Sequence, residues 1–321
     1  LFKNLSLFRI GAAWSASSSQ VEDLLQKDVF QPCGAAQLQS AGWVPPRGLA
    51  HGPLLEAVDG QWVLRLKVQR KLLPSAVVRE RADDIAQHIE HSTGRKPGRK
   101  QMKELREQAA LELLPQAFTR ASTRWVWIDP ARHLLAIDTS SAARAEEVVT
   151  LLVKALPGFE VRQIHTAVSP QALMSDWLLS GEPAAGFTVD RECELKSDDE
   201  MKSVVRYARH RLDIDEVRAH IQSGKRPTRL ALTWAERVSF VLTEGLQLKR
   251  LDFLDGVYED RPSVGADEAF DADVAIATAE LRRLIPDLIE ALGGEQEPGA
   301  TAAAPRPGFD PTPTEADAAP W

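Results

Sequence analysis

The sequence predicts a mixed α/β protein: largely antiparallel sheets with flanking helices and one protruding helical hairpin. Three observations lead there. Strand-like segments are joined by tight turns, amphipathic helical segments lie between them, and a long polar helical stretch is broken by a Gly/Pro/basic run at 94–100. The 321 residues allow about two domains at roughly 100–200 residues each. A hydrophobic content of 44% is enough to build real cores, and no run reaches the ~18 unbroken apolar residues of a membrane span.

Taken in order, residues 5–10 alternate as a strand, and serines at 17–19 can cap a short helix with Val21, Leu24 and Leu25 on one face. Cys33-Gly34 and Trp43-Val44-Pro45-Pro46 mark irregular connections. Residues 54–58 and 61–70 flank Asp59-Gly60, which tolerates φ > 0, so a β-hairpin is expected. In its second strand Trp62, Leu64, Leu66 and Val68 point one way and Gln61, Arg65, Lys67 and Gln69 the other, giving a core face and a basic face. From Ser75, read as an N-cap, a polar helix runs to about 92, breaks at 94–100 and resumes to 114: a helical hairpin with a basic tip.

Residues 118–128 read as a strand ending at Asp129-Pro130, with 133–138 returning. Arg120, Ser122 and Arg124 share one of its faces, opposite Trp125 and Trp127. Ser141 begins an amphipathic helix with Val148, Leu151, Leu152 and Ala155 at helical spacing, stopped by Pro157-Gly158. A strand near 159–164, a helix from Ser169-Pro170 through Trp177 and a Gly/Pro link at 181–186 follow. Asp213 is read as the cap of a helix whose first turn holds Asp215 and Glu216. Residues 228–234, 238–242 and 246–253 form a meander, and a last helix spans roughly 273–292 with a kink at Pro286, capped by Asp271 or Asp273. These elements divide into a core domain (1–74 with 116–180), the hairpin (75–115), a second α/β domain (181–293) and a tail (294–321) whose composition reads as disordered.

Chemistry-bearing motifs are sparse. Cys33 and Cys193 are far apart and in no CxxC spacing, so two reduced thiols are expected, and the opening residues lack a secretory signal, which reads as cytosolic. The run at 94–100 resembles a phosphate-binding loop, but its second Gly comes too early and Gln101 stands where Ser or Thr would hold magnesium. His88 and His91 lack a third ligand, and the acids at 198–200 read as a solvated loop. No Gly-x-Ser-x-Gly, His-Glu-x-x-His or Gly-x-Gly-x-x-Gly occurs. Neither a catalytic residue nor a metal or cofactor is assigned, and the chain reads as a non-enzyme.

The formal charge is −7, but it is segregated. Residues 61–132 hold fifteen Lys/Arg against eight Asp/Glu (+7), 202–250 eleven against five (+6), and 251–321 four against sixteen (−12). Binding responds to local potential within about 10 Å at 0.1 M salt, so a polyanion partner remains open. The candidate DNA contacts are Arg65, Lys67, Arg95, Lys96, Arg99, Lys100, Lys103, Arg120, Arg124, Arg206, Arg209, Arg211, Lys225, Arg226, Arg229, Lys249 and Arg250. Cations of this kind track phosphates without reading bases. Trp62, Trp125 and Trp127 are read as core residues, not stacking platforms.

Phe2-Lys3-Asn4, Phe30-Gln31-Pro32-Cys33-Gly34, Gly42-Trp43-Val44-Pro45-Pro46, Leu72-Leu73-Pro74-Ser75, Leu113-Leu114-Pro115-Gln116-Ala117-Phe118, Trp127-Ile128-Asp129, Leu230-Ala231-Leu232-Thr233-Trp234, Phe270-Asp271-Ala272-Asp273 and Leu292-Gly293-Gly294 occur in that order. Together they resemble the bacterial recombination-associated RdgC family over almost the whole chain up to Glu295. The resemblance implies a non-enzymatic, nucleoid-associated protein that binds DNA without strong sequence preference; double-stranded and single-stranded DNA both stand as candidate partners, with the preference between them open. It also implies a ring-shaped homodimer able to encircle duplex DNA, and restraint of RecA-driven strand exchange by occupying its DNA. Two alternatives stand beside this reading. One is direct contact with RecA through the acidic region from 251 onward; the other is a metal-dependent nuclease using Asp271, Asp273 or the acids at 198–200.

Overall fold

The computed structural model describes residues 1–258 and 265–296. Its strands join into one antiparallel sheet of twelve. In chain order they are β1 (Asn4–Ile10), β2 (Gln39–Val44), β3 (Leu55–Val58), β4 (Gln61–Lys71), β5 (Thr119–Asp129), β6 (Leu134–Ile137), β7 (Val161–Gln163), β8 (Phe187–Ser197), β9 (Val204–Ala208), β10 (Lys225–Trp234), β11 (Val238–Thr243) and β12 (Gln247–Phe253). The order across the sheet is β2-β4-β5-β6-β1-β12-β11-β10-β8-β9, with β3 on β4 and β7 on β1. The helices are α1 (Ser18–Leu25), α2 (Ser75–Thr93), α3 (Arg99–Leu113), α4 (Ala142–Ala155), α5 (Pro170–Ser180), α6 (Asp215–Gln222) and α7 (Ala266–Ala291).

Local chemistry explains most of these elements. Asp59 and Gly60 both adopt φ > 0 (49° and 74°) between β3 and β4, the geometry whose twist matches a tight hairpin. Ser17 and Gln20 form a reciprocal capping box at the start of α1. Elsewhere the expected caps are displaced. Pro74 occupies the cap of α2 and Ser75 makes no cap bond; Ile214 caps α6, while Asp213 is held by Arg211 at 2.7 Å. The last helix begins at Ala266, so Asp271 and Asp273 lie inside it, and Pro286 sits on its exposed side without ending it.

Two cores lie on opposite faces of the sheet. On one face α5, α6 and α7 cover Leu5 and Leu7 of β1, Trp127 of β5 and the inward residues of β8 and β10–β12. On the other, α1 and α4 cover Leu64, Leu66, Val126, Leu135 and Ile137. All four residues of β6 are buried because both its faces are covered. The hairpin α2/α3 closes on its own small cluster of Ala82, Leu105 and Ala109. Residues 294–296, grouped with the tail by composition, lie against the body: Glu295 bridges Thr166 and accepts from Arg9 at 2.7 Å. The tail from 297 onward lies outside the described residues.

Three strands escape the sequence reading. β2 runs through the segment read as irregular, and its Gly42 is required because a Cβ there would stand 2.4 Å from the Phe30 Cα. β8 carries charges at five of its eleven positions and pairs with β10 through two register shifts, which hides its alternation, and β9 is only five residues long.

Leu5 is fully buried beside α7, so Leu5→Ala should cost about 2–5 kcal/mol in urea unfolding. The same change at exposed Leu49 should stay within about 0.5 kcal/mol. Burial pushes the Cys193 thiol up to about 12. At pH 8 a thiol reagent should therefore titrate one cysteine, Cys33, in the native protein and two in urea; two fast native thiols would contradict the packing of β8.

Candidate nucleic-acid interface

Among the described residues, α5, α6 and α7 pack on one face against β1, β5, β6, β8 and β10–β12, whereas on the other face α1 and α4 cover only the first half of the sheet. Beyond β1, the second face of β12, β11, β10, β8 and β9 carries no helix among the described residues. Strand alternation loads it with charge. Arg206, Glu194 and Arg229 stand in register across β9, β8 and β10. Period two places Glu192 and Lys196 beside Glu194, and Arg226 pairs with Lys196. A groove of about 680 Å³ separates this face from the flank of α4, lined by Ser6, Ala142, Glu146, Lys196, Arg229 and Lys249. At the bulge in β12 the exposed Arg250, with φ 51°, reaches Glu192 at 2.7 Å.

Carboxylates partner several of these cations. Glu194 accepts from Arg206 Nε at 2.6 Å and Thr228 Oγ1 at 2.8 Å, with Arg229 at 3.9 Å. Burial pushes its carboxyl up, but the Arg206 and Thr228 hydrogen bonds and the nearby Arg229 outweigh that and hold it below the usual carboxylate range. Asp198 takes Arg226 at 2.8 Å.

The remaining candidates are dispersed. Lys225 pairs with Ser197 at the start of β10. Arg209 lies in the exposed turn after β9 with φ 55°, and Arg211 is drawn to Asp213 beside a recess under Trp177. Arg95, Lys96, Arg99, Lys100 and Lys103 are exposed at the hairpin tip. Arg65 and Lys67 point to the opposite side of the sheet, where Arg65 stacks 4.9 Å over Trp125 and Lys67 lies 4.4 Å over Phe30. Arg120 is exposed on the α4 side.

Arg124 stands apart from the other candidates. It faces α4, its side chain is only 6% exposed, and Glu147 holds it at 3.4 Å. Burial lowers its pKa, and the side chain is packed away from solvent under α4. Of the tryptophans read as core residues, Trp125 packs half-buried against the α7-side core between Arg65 and Phe270, and Trp62 and Trp127 lie in opposite cores. Sequence reasoning misses Lys196 because β8 is not legible as a strand, although the i, i+2 spacing from Glu194 and Glu192 is there to be read. It misses Arg70 as well, which approaches Glu147 at 3.6 Å.

Two of the acids considered for a nuclease are held by arginines: Asp271 accepts from Arg47 at 2.5 Å and Asp198 from Arg226. Among the described residues no three His, Cys, Asp or Glu side chains are grouped to share a metal ion, and no helix is long and apolar enough to cross a membrane.

Comparison with known proteins agrees with the motif reading. Residues 1–295 match a family described as "Putative exonuclease, RdgC". A protein of Dechloromonas aromatica (strain RCB) is 47% identical over 299 residues, covering 92% of this chain and 98% of its own. Proteins of Janthinobacterium sp. (strain Marseille) and Cupriavidus pinatubonensis are 44% and 48% identical, each covering 92% of this chain and 99% of their own. All three are named recombination-associated protein RdgC. With the match running from the first strand to the Glu295 clasp, the chain belongs to the RdgC family.

Proposed function

We propose that this protein binds DNA through its phosphates, without reading base sequence, and restrains RecA-promoted recombination by occupying the DNA that RecA needs. The bare face of the second half of the sheet carries the reading. Lys196, Arg206, Arg226, Arg229, Lys249 and Arg250 share one surface with no helix over it among the described residues. Flexible cations on a strand scaffold suit a regular phosphate backbone, and nothing on this face is arranged as a rigid reader of base edges. The family name, which couples the relatives to recombination, supports the process. The reading is non-catalytic and puts the protein in the cytoplasm, associated with the nucleoid.

The same reading includes a homodimer, in a ring around duplex DNA. An apolar patch supports a second copy. Phe118 is 85% exposed, Leu72 donates its N–H to the Phe118 carbonyl, and Lys71 donates to that of Leu38, which joins three exposed apolar residues at the end of the sheet beside α2 and α3. The tip cations Arg95–Lys103 would then approach DNA from a projecting hairpin. If inhibition of strand exchange instead persisted when DNA is saturating, direct contact with RecA would replace DNA occupation.

For unrelated duplexes and their single strands, log affinity should fall steeply and linearly with log salt. The triple change Arg206→Glu, Arg229→Glu and Lys249→Glu should weaken every sequence alike and flatten the slope by about 0.9 for each phosphate left without its cation. Arg124→Met should lower stability but leave the slope unchanged. A triple variant with wild-type affinity and slope would reject the interface.

A further inference from the structure

The cations of the bare face are not waiting free. Arg206 and Arg229 converge on Glu194 from the two neighbouring strands, Arg250 is paired with Glu192, and Arg226 with Asp198. The two glutamates are two residues apart on β8, so alternation sets both on the face that would meet DNA. A carboxylate in the middle of a phosphate-binding surface repels the ligand and occupies the donors that the ligand needs.

We propose that Glu194 is a built-in competitor for phosphate: DNA binds this face by displacing the Glu194 carboxylate from Arg206 and Arg229, so the residue sets how weakly and how reversibly the protein holds DNA. The inference rests on the DNA-binding reading of this face and adds the residue that regulates it. The geometry suits exchange. Arg206 is 71% exposed and Arg229 50%, so both guanidinium groups can swing to a ligand, whereas Glu194 is 13% exposed and anchored by Thr228, so the acid stays behind. Solvent screens an ion pair whose cation is this exposed, so releasing the arginines from the carboxylate costs little.

Exchange couples binding to protons. In the free protein Glu194 faces Arg206 on β9, Arg229 on β10, and Glu192 and Lys196 on its own strand. Across the groove stand Lys249 of β12, Glu244 of the preceding turn and Glu146 of α4. Once its arginines turn to phosphate, the carboxylate keeps only Thr228 of the partners that hold it ionised, so its affinity for a proton rises in the complex. The bound state then takes up protons, and DNA affinity must increase as pH falls through the carboxylate range.

Glu194→Gln keeps a side chain of the same shape that can still meet Thr228. At fixed moderate salt it should bind a random duplex severalfold more tightly than wild type. Its log–log salt slope should be steeper by about 0.9 per additional phosphate engaged. It should also lack the gain in affinity that wild type shows as pH falls through the carboxylate range. Glu192→Gln, which frees Arg250, should act in the same direction, while Glu236→Gln, which removes an equal charge from an exposed turn, should change nothing. Wild-type binding with an unchanged Glu194→Gln slope and pH profile would overturn the role of Glu194 and leave the interface standing. No binding by either protein would overturn the interface itself, and this inference with it.

Discussion

β1 is the strand on which the rest of the structure depends. On one edge it pairs with β6 from Ser6 to Arg9; on the other it pairs with β12 through Asn4–Ser6 and with β7 through Phe8–Ile10. Every other strand reaches the opposite half of the sheet only through it. Its start is pinned where Lys3 and Asn4 donate backbone N–H groups to Asp138 at 3.1 and 2.7 Å, and the Leu251 N–H donates to the Lys3 carbonyl. Burial raises the Asp138 pKa in spite of those donors. The opening strand of the chain thus pairs with one that begins at Gln247, a non-local pairing that forms only after a large loop-closure cost is met.

The seam also decides what the two faces can do. α4 follows β6 and packs against the first half, which leaves the second half with helices on one side only. A sheet bare on one face must alternate apolar and polar residues. β10 does so with Leu230, Leu232 and Trp234 inward and Arg229 and Thr233 outward. Because β1 holds α4 and the bare face in fixed relation, the groove between them is shaped by the fold and not by a loop: Ser6 donates to the Thr139 carbonyl on one side and accepts from Gln247 on the other. Cations of residues 202–250 are thereby gathered on one surface, interleaved with Glu192, Glu194 and Asp198.

Much of this is legible where one rule acts alone. Asp59-Gly60, the alternation of β4, the two helices around the basic tip and the meander from β10 to β12 follow from local spacing, and the family resemblance rests on residues that lie throughout that frame. Legibility fails where a tertiary contact overrides the local rule. Arg124 belongs by alternation to a polar face, yet α4 covers that face and Glu147 makes its burial tolerable. Trp43-Val44-Pro45-Pro46 looks like a turn because of its prolines, whereas the strand preceding them is made possible by Gly42 and the segment crossing it. In β8 the very charges that define the candidate interface hide the strand that displays them.

The placement of the cations limits how DNA can be held. Arg65 and Lys67 emerge on the side of the sheet that α7 crosses, and their charges rest on Trp125 and Phe30. A duplex lying on the bare face meets Lys196, Arg206, Arg229 and Lys249 but has the thickness of the sheet between it and Arg65. The hairpin tip belongs to neither face, since α2 and α3 pack mainly on each other. One copy therefore offers a flat basic surface and a separate basic tip, not a closed collar. Enclosure of a duplex needs a second copy, and the exposed apolar patch at Leu38, Leu72 and Phe118, beside the base of that hairpin, is where the surface chemistry favours protein over solvent. Under the proposed reading, the dimer contact and the DNA contact would be different surfaces, one apolar and insensitive to salt, the other ionic and weakened by it.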